Sequence, residues 1–456
     1  MKRTEWVEAE LATVELGDKR LNERAKQIVD DLHRNPSGSI PQISGGWSAT
    51  KSAYDFFANE QVEYTALIEA ERQATLTRIQ PEELVLAVQD TTEINLTSYP
   101  TIEGQGWLAR NNQRGFFVHS TLGVSSSGVP LGILDQSYWT RPEKADPKLK
   151  PQRRRQRAIE EKESYKWLQA LKRVSSACPA ETALLFVSDA ESDIHEYFAC
   201  ERPAHVDVLV RACQNRRLCD SEQLLWPTLR QTVAAGTLTI EVTAQAERPA
   251  RTAICQVHYR PVTLNPTNGN RAAHLHRLQP VTVFAVLVEE IAPPADQKPL
   301  CWLLLTTRSV KSWEDAIQLI TFYTWRWRVE RFHFVLKSGC RIEQRRLQSV
   351  SALCRFLALA NLVAWRLLWL TYLARVQPEA PCTLALQPHE WQALYLLTHH
   401  EPWKAASPPT LQNAVLWLAR LGGYLARSAD GPPGVLVLWR GWTTLLPAVR
   451  LLDRFT

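Results

Sequence analysis

Several things are scarce in this chain of 456 residues, and each scarcity excludes something. Its nine cysteines are odd in number and scattered, with no C-x-x-C pair. That pattern excludes a disulfide framework and a structural zinc site, and it predicts buried free thiols in a reducing cytoplasm. The start, MKRTEWVEAELA, lacks the apolar core of a signal peptide. The greasiest stretch, residues 353–373, is interrupted by Asn361 and Arg366. It reads as a buried helix and not as a membrane span. No internal repeat or extended low-complexity tract stands out. A net charge of +6 is too small to name a partner by itself.

What is present is ordinary in bulk and uneven in placement. Hydrophobic residues make up 45% and charged residues 22%, values of a globular chain long enough for two to four domains. Basic residues concentrate in 141–173, including Arg153, Arg154, Arg155 and Arg157, and again in 326–346, whereas the first eighty residues carry more acids than bases. The run Lys148 to Arg157 reads as solvated surface or as a contact to a polyanion. His274 and His276 could share a strand face, but no third metal ligand accompanies them, so they read as surface.

Residues 1–80 have helical periodicity. Asp18 is placed to cap a helix from Lys19 to His33, and further helices are predicted over Ser48 to Phe57 and Tyr64 to Arg78. From Glu83 the period changes. Leu84 to Val88 is an apolar run suited to a buried strand ending at Gln89-Asp90-Thr91-Thr92. Phe116 to Val124 and Val129 to Tyr138 read as a hairpin through Ser125-Ser126-Ser127-Gly128. Glu160 to Val174 reads as a helix, Ala183 to Val187 as a buried strand ending at Ser188-Asp189, Ser192 to Phe198 as a short helix and Val206 to Val210 as a strand. That order is the one expected of an α/β, ribonuclease-H-like core. Residues 212–300 read as a β-rich insertion, Trp302 to Thr306 as a strand, Trp313 to Gly339 as one long helix, and 350–456 as mostly helical.

The long helix carries the most informative pattern. Tyr323, Arg326, Glu330 and Lys337 are spaced i, i+3, i+7 and i+14, which places them on one stripe of a straight helix. One carboxylate among cations and a phenol suits a surface that binds a polyanion and a metal together. Phosphodiester chemistry of this kind needs carboxylates converging on divalent ions. Asp90 and Asp189, each ending an apolar strand, and Glu330 on the helix are the candidate set. Each has a plainer reading: an Asp after a strand is usually a turn former or cap, and a helical Glu is usually solvated or ion-paired. Glu191 and Asp193 compete with Asp189, Asp193 reading better as the start of a helix. Arg326 has the alternative of an i,i+4 salt bridge to Glu330. Tyr323 has that of a partly buried aromatic.

The spacing Y-x2-R-x3-E-x6-K resembles the signature of the DDE cut-and-paste transposases of the insertion-sequence-four family. Gln89-Asp90-Thr91-Thr92 is similar to that family's first aspartate box, and Ser188-Asp189-Ala190-Glu191-Ser192-Asp193-Ile194-His195 to its second. Further matches are Gly17-Asp18-Lys19-Arg20, Glu161-Lys162-Glu163-Ser164 with Lys166-Trp167, Leu418-Ala419-Arg420-Leu421-Gly422-Gly423 and Leu438-Trp439-Arg440-Gly441-Trp442. They run in order along essentially the whole chain. The resemblance implies a helical DNA-end-binding domain over 1–80, a ribonuclease-H-like catalytic core over 81–211 and 301–350, the β-rich insertion over 212–300, and a helical, dimerising C-terminal region over 351–456.

It also implies that Asp90, Asp189 and Glu330 bind two Mg²⁺ ions, with Mn²⁺ as a substitute, for nicking, hairpin formation and strand transfer on double-stranded DNA by a homodimer. Tyr323, Arg326, Arg328, Lys337 and Arg211 are implied DNA contacts. Trp302, in Pro299-Leu300-Cys301-Trp302-Leu303-Leu304, is the implied platform for a flipped base, its plainer reading being a core tryptophan. Lys19, Arg20, Arg24, Arg34 and Lys51 are the N-terminal basic candidates. The setting implied is a bacterial cytoplasm, associated with the nucleoid, with no membrane partner. The rival expectation is a DNA-end-binding inhibitory or inactive relative that keeps the architecture without catalysis.

Overall fold

In the computed structural model the described residues are 4–109, 112–142, 157–219, 221–242, 250–266, 278–295, 297–405, 407–427 and 430–452. The basic run from Lys148 lies outside them up to residue 156, as do His274 and His276. Helices α1 (Glu5–Glu10), α2 (Lys19–Arg34), α3 (Ile40–Ser44), α4 (Trp47–Ala58) and α5 (Tyr64–Ile79) come first. Strands β1 (Leu84–Asn95), β2 (Gly106–Trp107), β3 (Arg114–Ser125) and β4 (Pro130–Trp139) follow. Then come α6 (Tyr165–Ala177), β5 (Ala183–Ser188), α7 (His195–Ala199), β6 (Val206–Arg211) and α8 (Leu225–Gln231). Strands β7 (Gly236–Val242), β8 (Arg251–Leu264), β9 (Val281–Glu290) and β10 (Cys301–Thr306) precede α9 (Trp313–Thr324) and α10 (Trp327–Phe334). The chain closes with α11 (Val350–Val376), α12 (Pro388–His399), α13 (Leu411–Leu421) and α14 (Val435–Leu452).

Contacts divide the chain into two compact units. The first holds residues 1–82, 91–145 and 327–456; the second holds 83–90 and 146–326. This grouping divides the sequence differently from the expected 1–80, 81–211 with 301–350, 212–300 and 351–456. Helices from both ends of the chain pack on the β3–β4 hairpin: α5 and α11 lie against β4, and α10 against β3.

In the first unit, Asp18 caps α2 as expected, its side chain accepting the Arg20 amide at 2.8 Å. The β3–β4 hairpin turns at 125–129, where the Ser125 and Val129 backbones pair and Gly128 takes φ +90°. Helix α11 is long and apolar enough to cross a membrane, yet 94% of its most apolar window is buried inside the protein. It is the core helix of this unit, and Asn361 and Arg366, which interrupt its apolar run, are spent on buried polar contacts. Helix α14 passes the same length and apolarity test, with 44% of its window buried.

In the second unit the strand order is β1-β5-β6-β10-β9-β8-β7, β1 entering through its first seven residues. The pairs β1–β5 and β5–β6 are parallel, and the rest are antiparallel. Strands buried on both faces need continuous apolar runs, which is what Leu84–Val88, Leu184–Val187 and Val208–Val210 supply. The β-rich stretch 212–300 does form strands, and they extend this same sheet through β10. All nine cysteines are free thiols.

Two expectations about helices are corrected. Trp313–Gly339 is not one helix: α9 ends at Thr324, residues 325–326 form a turn, and α10 passes into a π turn over Val335–Gly339. Nothing in the local sequence marks the break, because no Gly or Pro stands there and the apolar period runs on. The helix read from Glu160 starts later, at Tyr165, after a short 3-10 turn at Ile159–Glu161.

Candidate active site

The site in the second unit is built by strand register. Val88 of β1 lies beside Val187 of β5, and Ser188 of β5 beside Val210 of β6. Carried forward, the same registers set Asp90, Asp189 and Arg211 in one row across three parallel strands. Neighbours in such a row stand about 4.8 Å apart and project to one face. Asp189 keeps an extended backbone, φ −86° and ψ −169°, so the alternation holds just past the end of β5. Arg211 pairs with Leu304 of β10, which extends the row. Trp302, two residues from Leu304, therefore projects to that same face.

Charge reinforces the geometry. Burial pushes the Asp189 carboxyl above its ordinary pKa, and the charge of Asp90 adds to this, while the Glu191 amide and Arg326 pull the other way. Two acids repelling one another in a partly desolvated place are poised to accept cations. The loop that presents Asp189 is tightly tied. Its carboxylate accepts the Glu191 amide at 2.9 Å, and Ser192 Oγ donates to the Asp189 carbonyl at 2.8 Å.

Asp193 corrects the reading of it as a helix start. It is buried, with 1% exposure, and accepts the amides of Cys213 and Gln214 at 2.8 and 2.9 Å and Arg216 Nη2 at 2.6 Å. Ile194 precedes α7 instead. Of the three acids of the box, Asp189 is left at the row, Asp193 anchors the loop, and Glu191 is exposed and pairs with Lys166 at 3.3 Å. No local signal distinguishes them, since the anchor's partners are 20 to 23 residues away.

Over this face sits the end of α9. Tyr323 is 3% exposed, its ring meeting Trp302 edge-on at 5.6 Å between centroids. Burial raises its hydroxyl pKa against the pull of Arg326 and Arg211, both of which also hydrogen-bond with it. Arg326, buried, follows in the turn after α9, its guanidinium carbon 6.0 Å from the Tyr323 ring centre. The second unit therefore brings together Asp90, Asp189, Arg211, Trp302, Tyr323 and Arg326. Arg211 is exposed and Trp302 half-buried.

Glu330, Lys337 and Arg328 belong to the first unit. Glu330 is half-buried on α10, and Lys337 half-buried in the π turn that follows. The turn at 325–326 and the π turn interrupt the single straight stripe read from the spacing. Arg328 is 8% exposed and stacks over Tyr372 at 4.6 Å, and burial lowers its pKa to about 10. It is buried, as Tyr323 and Arg326 are. Among the described residues no group of three or more His, Cys, Asp or Glu is arranged to hold a metal ion. The donor set in the second unit is the aspartate pair.

The N-terminal basic candidates separate by environment. Lys19, Arg20 and Lys51 are exposed and Arg24 is half-buried, whereas Arg34 is tied to buried Asp30 at 3.1 Å. Reading the sequence missed Trp47, which is 84% exposed at the start of α4 and shares a face with Lys51 and Tyr54. A large aromatic on the polar side of a helix was the available signal.

A family model described as transposase DNA-binding matches residues 3–62, and one described as the transposase Tn5 dimerisation domain matches residues 362–450. The first segment is thus similar to a transposase DNA-binding domain and the last to the dimerisation domain of Tn5 transposase. The matches support a DNA transposase that binds DNA through its first segment and dimerises through its last. Trp47, Lys51 and Tyr54 lie in the first matched segment, and the exposed Leu436 of α14 lies in the second.

Proposed function

We propose that this chain is a DDE cut-and-paste transposase of the insertion-sequence-four family, with a ribonuclease-H-like core. The observation that carries the reading is the register row that puts Asp90, inside β1, beside Asp189, just past the end of the parallel β5, between two segments similar to transposase domains. The succession of β1, β3, β4, α6, β5, α7 and β6, with β5 and β6 parallel to β1 and to each other in turn, is the order that core requires.

Asp90 and Asp189 are hard oxygen donors in a place where their charges repel, which fits Mg²⁺ or Mn²⁺. Together with Glu330 they would hold two ions. When bound, such ions supply charge stabilisation for in-line displacement at phosphorus. The chain's own residues do the rest. Arg211 and Arg326 fork onto phosphate oxygens near the scissile bond, and Tyr323 donates its hydroxyl to a third. Lys337 neutralises a neighbouring phosphate. Trp302 receives a flipped base, which relieves the steric strain of turning one strand back onto the other. The reaction is a nick, a hairpin closed by the freed 3′-hydroxyl, hairpin opening by water, and joining to target DNA. Trp47, Lys51 and Tyr54 are the face that meets the element's end. A dimer of the chain holds two ends.

The test is end cleavage on a duplex carrying the terminal repeat that flanks the gene. Wild type with Mg²⁺ should nick and then form a hairpin, and Asp189→Asn should bind the duplex and cut nothing. Cutting by Asp189→Asn at the wild-type rate would end the proposal.

A further inference from the structure

Five polar side chains lie in the core of the first unit, where an apolar residue would cost less. Ser120, Gln136, Asn361, Glu71 and His333 are exposed by 0 to 4%. Burying such groups is tolerated only when they satisfy one another. Here they form a continuous chain. Tyr64 Oη donates to Gln136 Oε1 at 2.9 Å, Gln136 Nε2 donates to Ser120 Oγ at 2.9 Å, and Ser120 Oγ meets His333 Nε2 at 3.0 Å. Asn361 braces the centre, its Nδ2 donating to Gln136 Oε1 at 2.9 Å and to Glu71 Oε2 at 3.3 Å.

The two ends of this chain are in informative places. Tyr64 opens α5, two residues after the segment similar to a transposase DNA-binding domain. His333 is on α10, three residues after Glu330 and so on a neighbouring part of the same helix. Between them the links cross β4 and β3, against which α5 and α10 pack. Burial also drives the Glu71 carboxyl well above its ordinary pKa, which disfavours charge in the network, and its Oε2 accepts from Asn361.

We propose that Tyr64, Gln136, Ser120 and His333 are positioning residues that couple the DNA-end-binding segment to the helix bearing Glu330. The inference rests on the reading of Glu330 as a catalytic carboxylate. DNA engagement that shifts or stiffens α5 is transmitted through rigid, directional hydrogen bonds, and α10 settles with Glu330 in its working orientation. A purely structural network would not behave so. Removing one member of a satisfied buried network leaves its partners unpaired and costs stability, but that cost alone does not decide whether α10 responds to DNA.

The experiment uses the full chain and the terminal-repeat duplex, with Gln136→Met, Tyr64→Phe and His333→Gln. Four quantities are read: melting temperature, duplex affinity, single-turnover nicking with Mg²⁺, and amide exchange of α10 with and without duplex in metal-free buffer. In wild type, duplex should slow exchange across residues 327–334. Gln136→Met, which leaves Tyr64, Ser120 and Asn361 short of a partner, should melt lower but stay folded at the assay temperature and bind duplex within about twofold of wild type. It should lose the α10 response and nick about 100-fold more slowly, the loss expected when a reacting group is misplaced by roughly 1 Å. Tyr64→Phe, which removes one hydroxyl, should lose the α10 response in the same way. His333→Gln, which keeps a donor, should recover most of the rate. Wild type that binds and cuts with α10 indifferent to DNA would overturn the coupling alone. So would a Gln136→Met in which duplex affinity falls in parallel with nicking. Wild type that binds no end duplex would overturn the transposase reading and the coupling with it.

Discussion

At the scale of single residues, the two aspartates of the row carry opposite costs in stability and function. Because burial and the neighbouring Asp90 charge raise the Asp189 pKa, the ionised carboxylate is disfavoured in the fold. Asp189→Asn should therefore melt at or above the wild-type temperature without divalent ions, while losing cleavage altogether. Mg²⁺ should raise the melting temperature of wild type and leave the variant unmoved; calorimetry with and without EDTA measures both. A Mg²⁺ response in the variant equal to that of wild type would remove Asp189 from the ligand set. Trp302 is separable by kinetics. Trp302→Ala should slow hairpin closure by about tenfold or more, in the range of a lost base–aromatic stack, and first nicking by much less. Equal losses at the two steps would reduce Trp302 to a packing partner of Tyr323.

At the scale of elements, the loop after β5 depends on the buried pair of Asp193 and Arg216, 2.6 Å apart. Breaking a buried pair by removing one partner typically costs about 3–5 kcal/mol. Arg216→Met should lower stability by that order in denaturant titration and should slow cleavage, because the loop that presents Asp189 loses its anchor. Such long-range ties are what the sequence conceals. The end of β5 is legible because Ala183–Val187 is a short apolar run closed by polar residues, whereas β1 runs on through Asp90 to Asn95, beyond the polar residues that close its own apolar run. Asp193 was misread because its spacing suits a helix start and its true partner is on another element. The break between α9 and α10 was also hidden, as Trp325 and Arg326 have ordinary helix propensity and turn there only in tertiary context. Tyr323, Arg326, Trp302 and Arg211 were singled out from the sequence. The structure gives them a common place, whereas Arg328 is packed against Tyr372.

At the scale of the whole molecule, the two segments similar to transposase domains are remote in sequence and both lie in the first unit. A buried triad ties them. Arg366 of α11 holds Glu390 of α12 at 2.7 Å, and His33 of α2 meets Glu390 at 2.7 Å. Burial opposes ionisation of Glu390, but Arg366 and the His33 hydrogen bond outweigh it and hold the carboxyl well below its ordinary 4.5. Burial and the Arg366 charge lower the His33 pKa against the pull of Glu390. A carboxyl whose folded pKa is depressed stabilises the fold above its unfolded value and loses that contribution as pH falls. Stability should be held above pH 4.5 and decline progressively below it. Glu390→Gln should be less stable near neutral pH by about 3–5 kcal/mol and should show a flatter decline in acid. An unchanged acid profile in the variant would mean that other carboxyls govern it.

The most direct test of the central claim is metal-dependent cleavage of the terminal-repeat duplex by wild type and Glu330→Gln, side by side in Mg²⁺ and in EDTA. The account expects a nick followed by a hairpin in wild type with Mg²⁺, none in EDTA, and duplex binding without either product in the variant. Binding without cleavage by wild type in Mg²⁺ would contradict it, and would leave an end-binding relative that keeps the architecture and lacks the chemistry.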